Sequence, residues 1–422
     1  MLNTHTERRH FCQSYTLKLA TIITLALLGF WTTENEVFIA WRTNLWSLNY
    51  VHSLHGSASD RFKLEQPPDN HYRGRIWLAK DALTKGDPQK AEKLLATVAD
   101  IDDPYIYSTL GAVFDAQRDT NAAIEFWTKA GNWRALYGAG NRALAENRGE
   151  DALTYRKAAY RLNPSTGAEP LANTIWQVHQ DAETAAVVLR RALQAYPDAD
   201  AWQRLSWLRL LGDLEQRQQH WIAAEKAYQQ ALSINPVDSA TYLSLGWLFY
   251  RRDSNLAQAL AQFQKAIELN PEDGRAYHAV GMVLKEEDRF QEADEWFSRA
   301  LARSPENRWW YLEWASVALA DGDVDRAIRI YEESVQRFPK FARAYSELAW
   351  AYSLAGRNQE ATEAIEHAIF LENNNANFWA RAGRIYEIMG SPKNALKAYT
   401  RALQLKPGHS YASDGLQRLR SH

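Results

Sequence analysis

Few residues in this 422-residue chain have types and spacings suited to chemistry. His52 and His55 stand three apart, which puts two imidazoles on one helix face. No carboxylate or thiol cluster nearby completes a metal site around them. Gly138-x-Gly140-x-x-Ala143 matches the relaxed form of a dinucleotide-binding fingerprint, which works only after a strand and within a βαβ unit. Here it lies inside a helical pattern, where Gly140 serves helix contact. His179, Asp181 and Glu183 are close in sequence but point to different helix faces. The acidic pairs Glu286-Glu287 and Glu332-Glu333 fall in turns or on outer faces, where carboxylates solvate. G-x-S-x-G, Walker A and H-E-x-x-H patterns are absent. One cysteine, Cys12, excludes an intrachain disulfide framework and a cysteine-rich zinc site. The expectation is no catalytic residue, no cofactor and no metal, hence no enzyme. A hidden site would have to lie in the loosely patterned stretch Thr166–His220.

The elements around these residues are set by a ruler of prolines. Seven of the 13 prolines, namely Pro164, Pro197, Pro236, Pro271, Pro305, Pro339 and Pro407, are separated by 33, 39, 35, 34, 34 and 68 residues. The last gap is two periods, with Asn373 in the missing place. A period near 34 marks a helical repeat, and each proline marks a loop because it cannot continue a helix. Between prolines the register holds. Tyr277, Val280, Gly281 and Leu284 are followed by Ala293, Phe297, Ala300 and Pro305; Trp379, Ala382, Gly383 and Tyr386 by Ala395, Tyr399 and Ala402. Apolar residues three and four apart lie on one helical face, and the small Gly and Ala positions let two antiparallel helices approach. The turns between halves are polar, as in Ala320-Asp321-Gly322-Asp323.

This spacing resembles the tetratricopeptide repeat (TPR) family, whose pattern W-x2-L-G-x2-Y…A-x3-F…P it follows almost residue for residue. Leu136, Ala139, Gly140, Ala143, Ala152 and Ala159 form an earlier unit, and Tyr107, Leu110, Gly111, Phe114, Ala123 and Trp127 one before it. Leu78, Ala79, Ala82, Ala91 and Leu95 begin the array. The span Tyr72–His409 holds 338 residues, about ten units. Units from Ser239 onward match closely; those near Thr166 and Ala201 are degenerate. The 39-residue gap implies an extra helical turn in Trp202–His220. The resemblance implies an all-α fold, a right-handed α-solenoid of about ten helix-turn-helix repeats over residues 72–409. Residues 410–422 read as a capping helix with Leu416 and Leu419 turned to the last repeat.

The composition agrees with stacked helices. Lys and Arg number 49 against 51 Asp and Glu, for a net charge of −2, which argues against a generally basic nucleic-acid binder. Seventeen Trp and 20 Tyr against 20 Gly favour aromatic-packed helices over turn-rich sheet. The only strongly apolar run is Leu17–Trp31. Read with Tyr15 and a snorkelling Lys18, residues 15–31 are just long enough to span a bilayer as a signal anchor. A cleaved signal peptide and an ordinary N-terminal helix of a cytosolic protein are the alternatives. Arg8, Arg9 and Lys18 before the run, and Glu34 and Glu36 after it, place residues 1–14 in the cytoplasm and the repeats outside. Residues 32–71 read as an amphipathic segment and linker, in which Val37, Trp41, Leu45, Leu48 and Val51 recur every three or four residues. They suit either the membrane interface or the first repeat. The lack of disulfides and N-x-S/T sequons fits a bacterial envelope.

Function is therefore sought on the inner surface. The family lines its groove with first-helix residues about two, five, nine and twelve places into each unit. Carried over by the resemblance, these are Arg134, Tyr137 and Asn141; Arg251; Arg275, His278, Met282 and Lys285; Trp309; Arg343, Ser346 and Trp350; and Asn377 and Arg384. Arginines interleaved with aromatics suit extended peptides bearing acidic or C-terminal carboxylate groups. The lysine/asparagine set with which some members clamp a terminal carboxylate is not reproduced; Asn141 matches one element. The expected function is a membrane-anchored scaffold for other proteins. The alternative is a non-catalytic glycan-binding subunit of an envelope polysaccharide or cell-wall assembly.

Overall fold

The computed structural model describes residues 72–253 and 255–421, so the expectations for the anchor, the linker, Cys12, His52 and His55 lie outside the described residues. Every regular element among the described residues is a helix. Contacts divide the chain into two compact units, one ending at His179 and the other beginning at Gln180. The boundary falls in the fourth repeat, where the sequence pattern is degenerate. Among the described residues, no helix is long and apolar enough to cross a membrane.

The first unit contains α1 (Tyr72–Thr84), α2 (Pro88–Ala96), α3 (Pro104–Ala116), α4 (Thr120–Lys129), α5 (Trp133–Ala145), α6 (Gly149–Leu162) and α7 (Pro164–His179). The second contains α8 (Ala182–Ala195), α9 (Ala201–Arg217), α10 (Trp221–Ile234), α11 (Ser239–Asp253), α12 (Leu256–Leu269), α13 (Gly274–Glu286) and α14 (Phe290–Arg303). It continues with α15 (Arg308–Ala320), α16 (Val324–Arg337), α17 (Ala342–Leu354), α18 (Asn358–Leu371), α19 (Ala376–Ile388), α20 (Pro392–Leu405) and α21 (Ser410–Ser421). By chain order these are ten pairs and a final helix.

Local chemistry sets these boundaries. Asp87, Asp103, Asp119, Asn132, Asp200, Asn255, Asp273, Asn307, Asp323 and Asn375 each cap a helix by accepting a bond from a first-turn N–H. The turn inside a pair needs one residue with a left-handed backbone, supplied by Gly322 (φ 83°) or Gly356 (φ 74°) in some repeats. Arg118, Asn147, Gln219 and Asp288 adopt the same conformation elsewhere at some cost in strain. Pro164 does not follow a helix end by a loop, as expected from the ruler. Only Asn163 separates it from α6, and it opens α7, because a proline in the first turn loses no intrahelical bond.

Packing follows the small-large rule. Tyr399 of α20 lies over Gly383 of α19, and Phe297 of α14 over Gly281 of α13. No pair buries its own face; one apolar cluster runs from Tyr277 through Tyr311, Tyr331, Leu348 and Ile365 to Ala398. Leu416 and Leu419 of α21 pack on the last repeat beside Tyr399. Glu387 of α19 also holds α21 through Arg418, at 3.0 and 3.1 Å.

Candidate partner-binding groove

The first helices of the last repeats carry position-two residues 34 apart: Trp309, Arg343, Asn377 and, in the final helix, Tyr411. Because α15, α17, α19 and α21 begin in register, these residues line one cavity of about 660 Å³ with Ser346, Trp350 and residues of the preceding loops. Trp309 is half exposed, at 50%, yet its ring meets Phe341 edge-on at 4.8 Å. The Arg308 guanidinium sits 4.7 Å from the Phe341 ring and 5.5 Å from the Trp309 ring. Such a stack keeps a large aromatic surface in water without letting it collapse into the core.

The charge on this wall is uneven. Arg308, Lys340, Arg343 and Arg381 line it against Glu347 and Glu372. Glu347 is held by two of the four cations: Arg343 at 3.5 Å and Arg381 at 2.5 Å. Arg381 also donates to the Ser346 carbonyl at 2.9 Å, tying α19 to α17. Arg308 is left on its aromatic stack, and Lys340 projects from the loop before α17. A polar floor is added where the His409 ring meets the Asn377 side chain at 3.0 Å.

Other expected groove residues are scattered along the helices or occupied. In α13, Arg275 is spent on Asp273, which it grips through Nε and Nη2. Lys285 donates to Ser316 at 2.8 Å, linking α13 to α15. His278 does not stand in an open groove as expected. It is 9% exposed, stacked on Trp310 at 4.7 Å and bonded through Nε2 to Glu313. The cause is Trp310, which turns into the interior beside it while Trp309 turns out. Arg384 pairs with Glu387 at 3.1 Å. The Arg251 guanidinium lies 5.8 Å from the Trp247 ring. Met282 is half-buried in the α13 core.

In the first unit, Arg134, Tyr137 and Asn141 share the open face of α5, and they conceal a residue that sequence reading missed. Arg156 of α6 occupies the place filled by Phe297 or Tyr399 in other repeats, four residues after the small Ala152. It is 4% exposed, and its side chain crosses between the helices to the α5 face. There Nη1 donates to the Tyr137 carbonyl at 3.1 Å, Nη2 donates to Asn141 Oδ1, and the guanidinium lies 4.0 Å from the Tyr137 ring. No carboxylate meets it and Nε has no partner. Burial holds its pKa below the ordinary arginine value. The available signal was an arginine in an aromatic slot. Tyr411 was also legible, one period after Asn377, whereas Lys340 and Phe341 come from loops that no groove register includes.

Among the described residues, no group of three or more His, Cys, Asp or Glu could hold a metal ion. In the stretch Thr166–His220, Arg190 binds Glu183 and Glu215, while the Tyr228 and Ser244 hydroxyls donate to Asp213.

Comparison with known proteins agrees with the repeat pattern. Family models of the tetratricopeptide repeat match residues 250–308, 318–385 and 376–409. Hsp70-Hsp90 organizing protein 2 of Arabidopsis thaliana is 32% identical over 92 residues, which cover 22% of this chain and 16% of that protein. The chain thus spans about a sixth of that relative's length. Among solved structures, yeast Tom70 aligns over 84% of this chain and 88% of its own, at 14% identity and a TM-score of 0.46. YrrB, described as a TPR protein with an unusual peptide-binding site, aligns over 45% of this chain and 98% of its own, at 22% identity and a TM-score of 0.37.

Proposed function

Since this chain belongs to the tetratricopeptide repeat family, we propose that it is a scaffold holding an extended, acidic segment of a partner protein between α15, α17, α19 and α21. The observation that carries this is the cavity on the aligned first helices, where exposed Trp309 and half-buried Trp350 alternate with arginines and cations outnumber carboxylates. An extended chain would lay apolar side chains on the tryptophans and place carboxylates toward Arg308 and Lys340. The scaffold does no chemistry of its own in this reading. It is anchored by residues 15–31 with the repeats on the outer side of a bacterial membrane, a placement that rests on the apolar run and its flanking charges.

A photo-crosslinking residue at Arg343 tests the groove, with the same residue at exposed Arg329 of α16 as the outer-face control. We expect a partner-protein adduct from position 343 alone, lost when Trp309 and Trp350 are both replaced by Ala. Equal adducts from both positions, or none, would sink the groove assignment. Glycan binding abolished by the same two replacements would transfer it to the glycan-binding alternative. Protease access to the repeats in intact cells against spheroplasts checks the compartment.

A further inference from the structure

The 39-residue repeat does more than lengthen a helix. Helix α9 has 17 residues where α15 has 13, so one additional turn, Ala201–Arg204, projects beyond the start seen in other repeats. That turn carries Arg204 into a cavity of about 560 Å³ between α8, α9 and α10. The cavity is framed largely by second helices of repeats, away from the residues assigned above to the partner groove, so it stands independently of that reading.

Its lining mixes apolar and polar side chains and contains no acid. Leu193, Leu208 and Ile234 make one wall; Gln194 and Gln230 contribute amides; Arg190 and Arg204 contribute the charge. The two arginines differ. Arg190 is neutralised, bonded to Glu183 at 3.1 Å and to Glu215 at 2.9 Å. Arg204 has no ion pair, and its Nε is buried without a hydrogen-bond partner. That Nε has almost no accessible surface, so what Arg204 offers a molecule in the cavity is the outer edge of its guanidinium, the two Nη groups.

We propose that this cavity binds a monocarboxylate carried on a short apolar chain, its head on Arg204 and its tail on Leu193, Leu208 and Ile234. The planar fork of one guanidinium matches one carboxylate. A phosphate would bring close to two charges to a single unpaired cation, and its excess would face the leucines. The same chemistry is available from a free small carboxylic acid or from the terminal carboxylate of a protein ending in an apolar residue.

Calorimetric titration of the full chain with hexanoate, N-acetyl-leucine, hexanamide and inorganic phosphate tests this. We expect one site for hexanoate or N-acetyl-leucine and none for hexanamide or phosphate. Preference for hexanoate marks a free acid, and preference for N-acetyl-leucine a chain terminus. Arg204→Gln should weaken binding at least tenfold while Trp350→Ala leaves it unchanged. Gln230→Glu, which sets a carboxylate on an exposed position at the cavity, should abolish it and keeps the test decisive if Arg204→Gln fails to fold. Binding of phosphate or hexanamide as tight as hexanoate, binding unchanged by both cavity substitutions, or no binding of either carboxylate would overturn the proposal.

Discussion

The third and tenth repeats solve the same packing problem with opposite chemistry. In the tenth, the Tyr399 ring fills the space over Gly383 and its hydroxyl donates to Glu387 at 2.7 Å. Glu387 is answered in turn by Arg418 and Arg384, so every charge around the slot is paired. In the third, Arg156 passes over Gly140 and delivers an unneutralised guanidinium to the face shared by Tyr137 and Asn141. Burying a charge without a counter-ion costs stability, while an aromatic in that place gains it. The tenth repeat is therefore a fully paired slot that also holds α21. The third gives up packing energy to fix the orientation of Asn141, whose oxygen accepts from Arg156 and whose amide N–H groups are left for other partners.

The largest effect should come from moving the arginine. Phe263→Arg in the sixth repeat places a cation against Trp247, whose ring lies 5.2 Å from that of Phe263. It should destabilise by ~3–5 kcal/mol in chemical unfolding. A loss near zero would mean that any slot accepts arginine and that the third repeat is unexceptional.

Next comes the glycine opposite the slot. A Cβ on Gly383 would lie 2.5 Å from a Tyr399 ring carbon, whereas on Gly140 it would lie 3.1 Å from Arg156 Nε. Gly383→Ala should cost ~1–3 kcal/mol through overpacking. Gly140→Ala should be close to neutral, because its contact is looser and alanine's helix propensity offsets ~1 kcal/mol. Thermal unfolding of the two variants side by side distinguishes a rigid slot from a yielding one; equal losses would erase the difference.

Arg156→Phe then asks whether the third repeat has given up stability. It should raise stability by about 1 kcal/mol or more, since an unpaired buried cation is replaced by packing. A lower melting temperature would show that the bonds to Tyr137 and Asn141 outweigh the buried charge.

The smallest effect is the pH signature. Arg418, with Tyr399 and Arg384, pulls the Glu387 carboxyl down to about 2. A depressed folded value means that its stabilisation is complete above the unfolded carboxylate range, near 4.3, and is lost as pH falls toward the folded value. The stability gap between wild type and Glu387→Gln should be flat from neutral pH to about 5 and shrink below that. The gap between wild type and Arg156→Gln should show no such slope, since arginine keeps its proton across that range. A matching slope in both would end the distinction between a paired and an unpaired slot.

The helices were legible because their determinants are local. Apolar residues three and four apart, capping Asp and Asn, and prolines at a fixed period are all short-range signals. Asn377 to Tyr411 shows how far the register reaches: one period places the final helix's aromatic in the cavity with Trp309 and Arg343. His278 shows where it stops. Its position predicts an open imidazole, but Trp310, 32 residues later, stacks on the ring, and Glu313 takes its Nε2. Lys340 and Phe341 enter the cavity from a loop for which no helical period speaks.

By itself, then, the amino-acid sequence determined the helix class, the repeat length, the long α9 and the small-large pairing within repeats, because each is written in spacings of a few residues or a single period. Only the tertiary structure decided where the array divides at His179, which cations are answered by a neighbouring carboxylate and which are not. Arg190 and Arg204 carry the same charge in adjacent helices, yet one meets Glu215 and the other faces a cavity. That difference depends on side chains brought together by stacking, across gaps that no local pattern encodes.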